Sequence, residues 1–240
     1  VNGSNLTGTL QFLGGAESDG GKFSITGGTG ADTLTGGSGA DTIDGGTGAN
    51  IITGGDGIDS LVGGVLVDTF VVTAASQFIT LASAETVKGG TGTDILLFDA
   101  AAAFTVAAAD LGAINSIETI KFATATTEAQ SITLTDAVFT ANGATTLTID
   151  QGSLTTGNLT VAAGALTAAN SVTVIRTYAA GDRAGDSITL GAGADTVRLD
   201  NVRLNDAVTT IDGGEGTDTL QIVGAAAAAN TGVALPSTLV

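Results

Sequence analysis

Between residues 27 and 71 a large apolar residue returns at every ninth position: Leu34, Ile43, Ile52, Leu61 and Phe70. Each stands between two shorter flanks, as in Thr33-Leu34-Thr35 and Thr42-Ile43-Asp44. Such a tripeptide is a minimal strand whose central side chain points inward. The residues between strands repeat as well. The whole unit is G-G-x-G-x-D-x-U-x, with U the apolar residue, and it is written GGTGADTLT, GGSGADTID, GGTGANIIT, GGDGIDSLV and GGVLVDTFV without an inserted residue. Glycines permit positive-φ turns that expose backbone carbonyls. Units this short cannot bury their own apolar residue, so the pattern predicts a stack.

A second texture follows. Apolar, Thr and apolar residues alternate in Ile117–Phe122, Ile132–Leu134, Leu147–Ile149, Leu159–Val161 and Val172–Val174. This alternation predicts half-buried strands. Their spacing of roughly a dozen residues, broken by Gly, Asn and Asp, predicts successive rungs of a parallel β-helix. The nine-residue unit returns as GGTGTDILL from Gly89 and GGEGTDTLQ from Gly213, and more loosely as GDRAGDSIT from Gly181 and LGAGADTVR from Leu190. The alanine-rich stretch from Phe98 to Leu111 is the expected place for a short helix. The chain then reads as a cap segment over 1–26, in which Phe23 and Ile25 hold the Asp and apolar positions of a degenerate repeat. A regular block over 27–72, an irregular β-helix with scattered repeats over 73–224 and a tail over 225–240 follow. A β-sandwich would also use short Thr/Val strands. The glycine phasing and the scarcity of aromatics, eight Phe and one Tyr, favour the solenoid.

Charge and composition narrow the chemistry. The formal net charge of −17 argues against nucleic acid or an anionic membrane as partner and favours bound cations. Apolar residues at 43% argue against disorder. No apolar run is long enough to span a bilayer, which excludes membrane insertion by a helix. No Sec-type signal opens the chain. The absence of Met implies a chain that is processed or cut from something longer, and the absence of Cys excludes a disulfide framework. With no His or Cys, the usual bases, thiol nucleophiles and transition-metal ligands are missing, and the glycine runs lack a P-loop Lys-Ser/Thr. The chain reads as non-enzymatic. Arg176, Arg183, Arg198 and Arg203 fall close together and read as a solvated face, or as a surface that docks onto an acidic neighbour.

The five phased units resemble the RTX calcium-binding nonapeptide repeat. The resemblance implies an all-β fold, a right-handed parallel β-solenoid in which a calcium-binding β-roll continues into a less regular β-helix. Two nonapeptides make one coil of such a roll. Residues eighteen apart then share a side: Asp32, Asn50 and Asp68 on one, Asp41 and Asp59 on the other. By resemblance the metal residues are Gly28, Gly30, Asp32, Gly37, Gly39, Asp41, Gly46, Gly48, Asn50, Gly55, Gly57, Asp59 and Asp68, with sites between Asp41 and Asp59, Asp32 and Asn50, and Asn50 and Asp68. Asp94, Asp195 and Asp218 are further candidates. Asp94 and Asp218 lack an obvious stacked partner, and Asp186 and Asp195, nine apart, belong to opposite sides. Val65-Leu66 stands where x-G is expected, so the loop of Asp68 is expected to close poorly and to end the roll under Phe70.

Between Lys22 and Lys88 there is no basic residue, while Asp32, Asp41, Asp44, Asp56, Asp59, Asp68 and Glu85 all fall there. Like charges on coils about 4.8 Å apart repel by roughly 1 kcal/mol in water and about 3–4 kcal/mol at an effective dielectric near 20. A column of them needs a counter-ion to stay stacked, and the resemblance implies that it is Ca²⁺. RTX proteins are exported by type I secretion and fold outside the cell, which implies an extracellular or cell-surface location. The Ala/Thr/Gly/Asn richness and poverty in Lys further resemble calcium-dependent bacterial surface-layer proteins. That likeness implies self-assembly, with copies of the chain as partners and a cell-surface glycan as candidate anchor. The alternative is a calcium-dependent repeat module of a larger RTX adhesin, toxin or hydrolase.

Overall fold

The computed structural model describes residues 1–15, 20–74, 76–77, 85–100, 102–123, 128–154, 157–178, 185–200 and 210–223. The first strands are β1 (Gln11–Leu13), β2 (Ser24–Gly28), β3 (Thr33–Gly37), β4 (Thr42–Gly46) and β5 (Ile51–Gly55). They continue as β6 (Ser60–Val65), β7 (Thr69–Val72), β8 (Thr86–Thr91), β9 (Ile95–Phe98) and β10 (Thr105–Val106). Then come β11 (Ile114–Asn115), β12 (Thr119–Phe122), β13 (Gln130–Thr133), β14 (Thr146–Leu154) and β15 (Leu159–Ala162). The last are β16 (Ser171–Tyr178), β17 (Ser187–Thr189), β18 (Thr196–Asp200), β19 (Thr210–Asp212) and β20 (Thr219–Val223). The chain forms two compact units. One holds Val1–Asp99, Ala109–Ile120 and Ala141–Ala144; the other holds Ala100–Ala108, Lys121–Thr140 and the chain from Thr145 onward.

In the first unit successive strands alternate between two parallel sheets, ordered β1-β3-β5-β7-β9 and β2-β4-β6-β8-β11. Leu34 pairs with Ile52 and Ile43 with Leu61, each eighteen residues on, so one coil is two nonapeptides. This is the parallel β-roll that the RTX resemblance implies. Ile25, Leu34, Ile43, Ile52, Leu61 and Phe70 are buried and form its core. The degenerate repeat at Phe23 and Ile25 is already part of the roll, since β2 pairs with β4 in register.

The roll does not end under Phe70. Strand β7 pairs with β9, Thr69 opposite Ile95, and β6 pairs with β8, Ser60 opposite Thr86. Both steps are twenty-six residues rather than eighteen: the residues between β7 and β8 lengthen the coil without shifting either sheet. Nor does the loop before Asp68 fail to close. Leu66, in the place of the fourth-position glycine, adopts φ 79°. A bulky residue there carries steric strain of about 1–2 kcal/mol; the neighbouring coils hold it in that conformation.

The second unit follows the same alternation, with sheet orders β10-β13-β15-β17-β19 and β14-β16-β18-β20. Segments about a dozen residues apart are therefore half-coils on opposite sheets, not successive rungs as their spacing suggests. Ser131 pairs with Thr160, Thr160 with Ser187 and Ser187 with Thr210, steps of 29, 27 and 23 residues. The other sheet steps by 25 from Thr146 to Ser171 and by 23 from Thr173 to Thr196. Inward residues such as Ile132, Ile149, Val161, Val174 and Ile188 form the core. The alanine-rich stretch contributes a 3-10 turn at Ala108–Leu111. The longer helix, α1 (Asp136–Asn142), lies elsewhere; it buries Val138 and Phe139.

Adjacent isoleucines test the register. Ile52 is fully buried and Ile51 is half exposed. Ile52→Ala should cost about 2–5 kcal/mol, as for other buried large-to-small changes, and Ile51→Ala less than about 1 kcal/mol, as at surface sites. Chemical denaturation of the two variants checks the ranking.

Candidate metal centre

A carboxylate stands just before nearly every strand of the roll, and its two oxygens have different fates. The first accepts a backbone N–H from the coil before. Asp41 Oδ1 takes the Phe23 N–H at 2.7 Å, and Asp59 Oδ1 takes the Asp41 N–H at 2.8 Å. On the other side Asp32 Oδ1 takes the Leu10 N–H at 2.6 Å, Asn50 Oδ1 the Asp32 N–H at 3.0 Å, and Asp68 Oδ1 the Asn50 N–H at 2.8 Å. Asp94 Oδ1 and Glu118 Oε2 continue that ladder, accepting from Asp68 N and Asp94 N at 2.8 and 2.7 Å.

The second oxygen is the unusual one. Among the described residues, Oδ2 of Asp41, Asp59, Asp68, Asp94 and Asp195 is buried with no hydrogen-bond partner. A buried anionic oxygen without a donor is costly, and five such oxygens among the described residues suit a bound cation. For Asp41, Asp59, Asp68 and Asp94 this oxygen lies over the first glycine of its own loop, where any side chain would collide with it. A Cβ at Gly36 would overlap Asp41 Oδ2, and one at Gly54 would overlap Asp59 Oδ2. The second glycine is needed for a different reason: Gly55 has φ 104° and packs its Cα side on the Gly37 carbonyl. Among the described residues no three acidic side chains converge. A cation here must take loop carbonyls for most of its shell, which suits a hard ion with six to eight oxygen ligands.

The structure groups the expected ligands by side. Asp41 with Asp59, loops Gly36–Gly39 and Gly54–Gly57, share one; Asp32, Asn50, Asp68 and Asp94 share the other, with Gly28, Gly30, Gly46 and Gly48 in its loops. The positions are not equivalent. Asp32 Oδ2 accepts the Gly28 N–H at 2.7 Å, so it is satisfied without a cation. Asn50 turns its amide nitrogen toward Gly48 O at 3.1 Å and Gly63 O at 3.4 Å, occupying carbonyls with its own donor.

Two candidates that look isolated in the sequence have stacked partners. Asp94 lies one lengthened coil beyond Asp68, and Asp218 one coil beyond Asp195, whose N–H its Oδ1 accepts at 3.0 Å. Asp186 and Asp195 do face opposite sheets: Asp186 receives Leu159 N–H of β15 and Asp195 receives Val172 N–H of β16. Glu118, Gln130 and Asn142 also take the ladder role, with longer or neutral side chains at spacings that the nine-residue unit does not mark. Glu118 and Gln130 could have been found, since each sits two residues before a buried isoleucine, as Asp41 does.

Burial sets the electrostatics. Desolvation pushes Asp59 up to about 6, opposed by the Asp41 N–H and reinforced by the Asp41 and Asp56 carboxylates. Asp68 is likewise pushed up to about 6, by burial first, against the Asn50 N–H and with Asp94 adding repulsion. Burial also raises Asp41, Asp94 and Asp195.

Residues 25–64 match the family model of the RTX calcium-binding nonapeptide repeat, in four copies. The chain matches no curated protein and no solved structure. The matched block contains β2 to β6, and RTX nonapeptide repeats bind calcium ions. The orphaned oxygens of Asp41 and Asp59 fit that ion.

Two measurements follow from this geometry. In chelator the folded state holds protons on Asp59 and Asp68 more tightly than the unfolded chain does. That stabilisation is complete below the ordinary carboxylate value of 3.8 and is lost as pH rises through about 6. The metal-free melting temperature should therefore fall between pH 4 and pH 7, and calcium should abolish the fall. A metal-free melting temperature that rises over this interval contradicts the assignment. Separately, Gly54→Ala should destabilise by about 1–3 kcal/mol, as overpacking does. Gly8→Ala, where an added Cβ meets nothing within 4 Å, should be close to neutral. Thermal melts in calcium compare the two.

Proposed function

We propose that this chain is an exported, non-catalytic structural protein whose coils stack on calcium and which assembles with copies of itself outside the cell. The observation that carries the reading is the set of buried, partnerless carboxylate oxygens at Asp41, Asp59, Asp68, Asp94 and Asp195. Calcium bound there supplies positive charge between anionic coils and accepts oxygens from both carboxylates and loop carbonyls. The stacked pairs best suited to it are Asp41 with Asp59, Asp68 with Asp94, and Asp195 with Asp218.

A metal that binds only the folded coils stabilises them by RT ln(1 + [Ca]/Kd), about 1.4 kcal/mol per site at tenfold excess. Low intracellular calcium would leave the coils loose for export, and extracellular calcium would close them. Assembly is supported by the sheet ends. Among the described residues β1 and β20 each pair on one side only. Leu13 of β1 and Ile222 and Val223 of β20 expose large apolar side chains. Open strand edges template further strands, and a head-to-tail contact that does not close gives a filament or array. Calcium would also lessen repulsion between chains of charge −17.

The second reading, a calcium-dependent module of a larger RTX protein, shares the metal chemistry but not the assembly. Sedimentation across a calcium series separates them. Polymers in the millimolar range at which extracellular sites work, dispersed by chelator, are expected; a monomer at every calcium concentration would favour the module.

A further inference from the structure

Asp186 keeps the geometry of the metal-seeking carboxylates with one difference. Its Oδ1 accepts the Leu159 N–H at 2.7 Å, as Asp59 Oδ1 accepts that of Asp41. Its Oδ2 is not orphaned: it accepts Arg176 Nε at 3.1 Å and the Tyr178 hydroxyl at 2.6 Å. Arg176 is not part of a solvated face. It occupies an inward position of β16, in the same alternation that buries Val172 and Val174, and is wholly inaccessible to solvent. Of the other arginines, Arg198 is on the surface with Asp200, and Arg183 and Arg203 lie outside the described residues.

The surroundings of Arg176 are built for a fixed cation. Its Nη2 donates to Gly157 O at 2.9 Å and Nη1 to Thr177 O at 3.3 Å. The guanidinium carbon lies 4.5 Å from the centre of the Tyr178 ring, within reach of a cation–π attraction. One group thus supplies positive charge to a buried carboxylate and satisfies carbonyl oxygens around it. Those are the two tasks assigned to calcium at Asp41 and Asp59.

We infer that Arg176 is the resident cation of this coil, so that the Asp186 turn stacks without calcium and takes none. The inference rests on the calcium reading of the regular block for its contrast. A buried charge pair is stable only when both partners stay paired and hydrogen-bonded, a condition that Arg176, Tyr178, Gly157 and Asp186 meet together. Desolvating an arginine is also less costly than desolvating a lysine, and its fork reaches a carboxylate and a carbonyl at once. A covalently attached cation cannot be chelated. This coil is therefore folded under the conditions that loosen the coils of Asp41 and Asp59.

Hydrogen exchange of the full chain, read by mass spectrometry with calcium and with excess chelator, tests this. Chelator should strip protection from β4 to β6 while β15 stays within about threefold of its calcium-bound exchange rate. Loss of protection in β15 together with β4 to β6 would overturn the assignment. Unchanged protection in β4 to β6 would instead remove the calcium reading of that block, and the Arg176 assignment would then stand or fall on a variant. Arg176→Gln should lose the protection of β15 in chelator; a variant that keeps it shows that the guanidinium is not what holds the coil.

Discussion

Stacking equivalent turns one strand spacing apart makes every charged residue in the turn meet its own copy. At about 4.8 Å between coils, a buried carboxylate column is repulsive by a few kcal/mol per step unless something positive enters it. Much else in the regular block follows from this. The first glycine of each unit clears space for the carboxylate, the second turns its backbone toward the coil below, and one carboxylate oxygen is tied to the preceding coil by an N–H. That tie fixes the other oxygen in a dry place facing loop carbonyls. The arrangement is self-consistent only with a cation or with a proton, which is why burial drives Asp59 and Asp68 toward protonation in the absence of metal.

The same constraint explains which irregularities are tolerated. Lengthening a coil at the end away from the carboxylate leaves the ladder intact, so Asp94 still meets Asp68 across twenty-six residues. Losing the fourth-position glycine is also tolerated, because Leu66 can be held at positive φ by backbone pairing to Thr91 O at 2.9 Å. The first glycine is different, since its loss would displace the carboxylate itself. In the five-unit block that glycine is never replaced: Gly27, Gly36, Gly45, Gly54 and Gly63 all remain, whereas Asp becomes Asn50 and the fourth-position glycine becomes Leu66.

Sequence periodicity was a sufficient guide where the period is constant. From Leu34 to Phe70 the spacing gives the inward residues, and with the two-unit coil that the RTX resemblance implies it gives the two sides of the roll and the pairing of Asp41 with Asp59. It fails where coil length drifts. Register is fixed by backbone hydrogen bonds between strands, so Asp195 finds Asp218 at twenty-three residues and Thr160 finds Ser187 at twenty-seven. No fixed period could have marked those partners. Helix α1 escaped because seven residues are too few to show a helical period, and its place is set by burying Val138 and Phe139. Arg176 reads as a surface residue in the sequence because a charge is ordinarily a surface feature; yet in Val172-Thr-Val-Ile-Arg-Thr-Tyr178 it holds an inward step of the strand alternation. A charged residue in phase with a buried face is thus a signal in its own right.

Three solutions to one electrostatic problem now stand side by side in the chain. At Asp41 and Asp59 the second carboxylate oxygen has no donor among the described residues. At Asn50 the charge is removed and an amide donor fills the carbonyls. At Asp186 the charge is kept and a guanidinium supplied from the neighbouring strand. On the proposed calcium reading the first makes stacking conditional on the medium, and the third supplies its cation from within the chain. In a stack where each coil contacts only its neighbours, stability is close to a sum of local terms. On the calcium reading, replacing an open site by an Arg pair therefore removes one turn from calcium control and leaves the next untouched. The extent to which a solenoid of this kind responds to calcium is thus written into which of its turns keep a carboxylate without an internal partner.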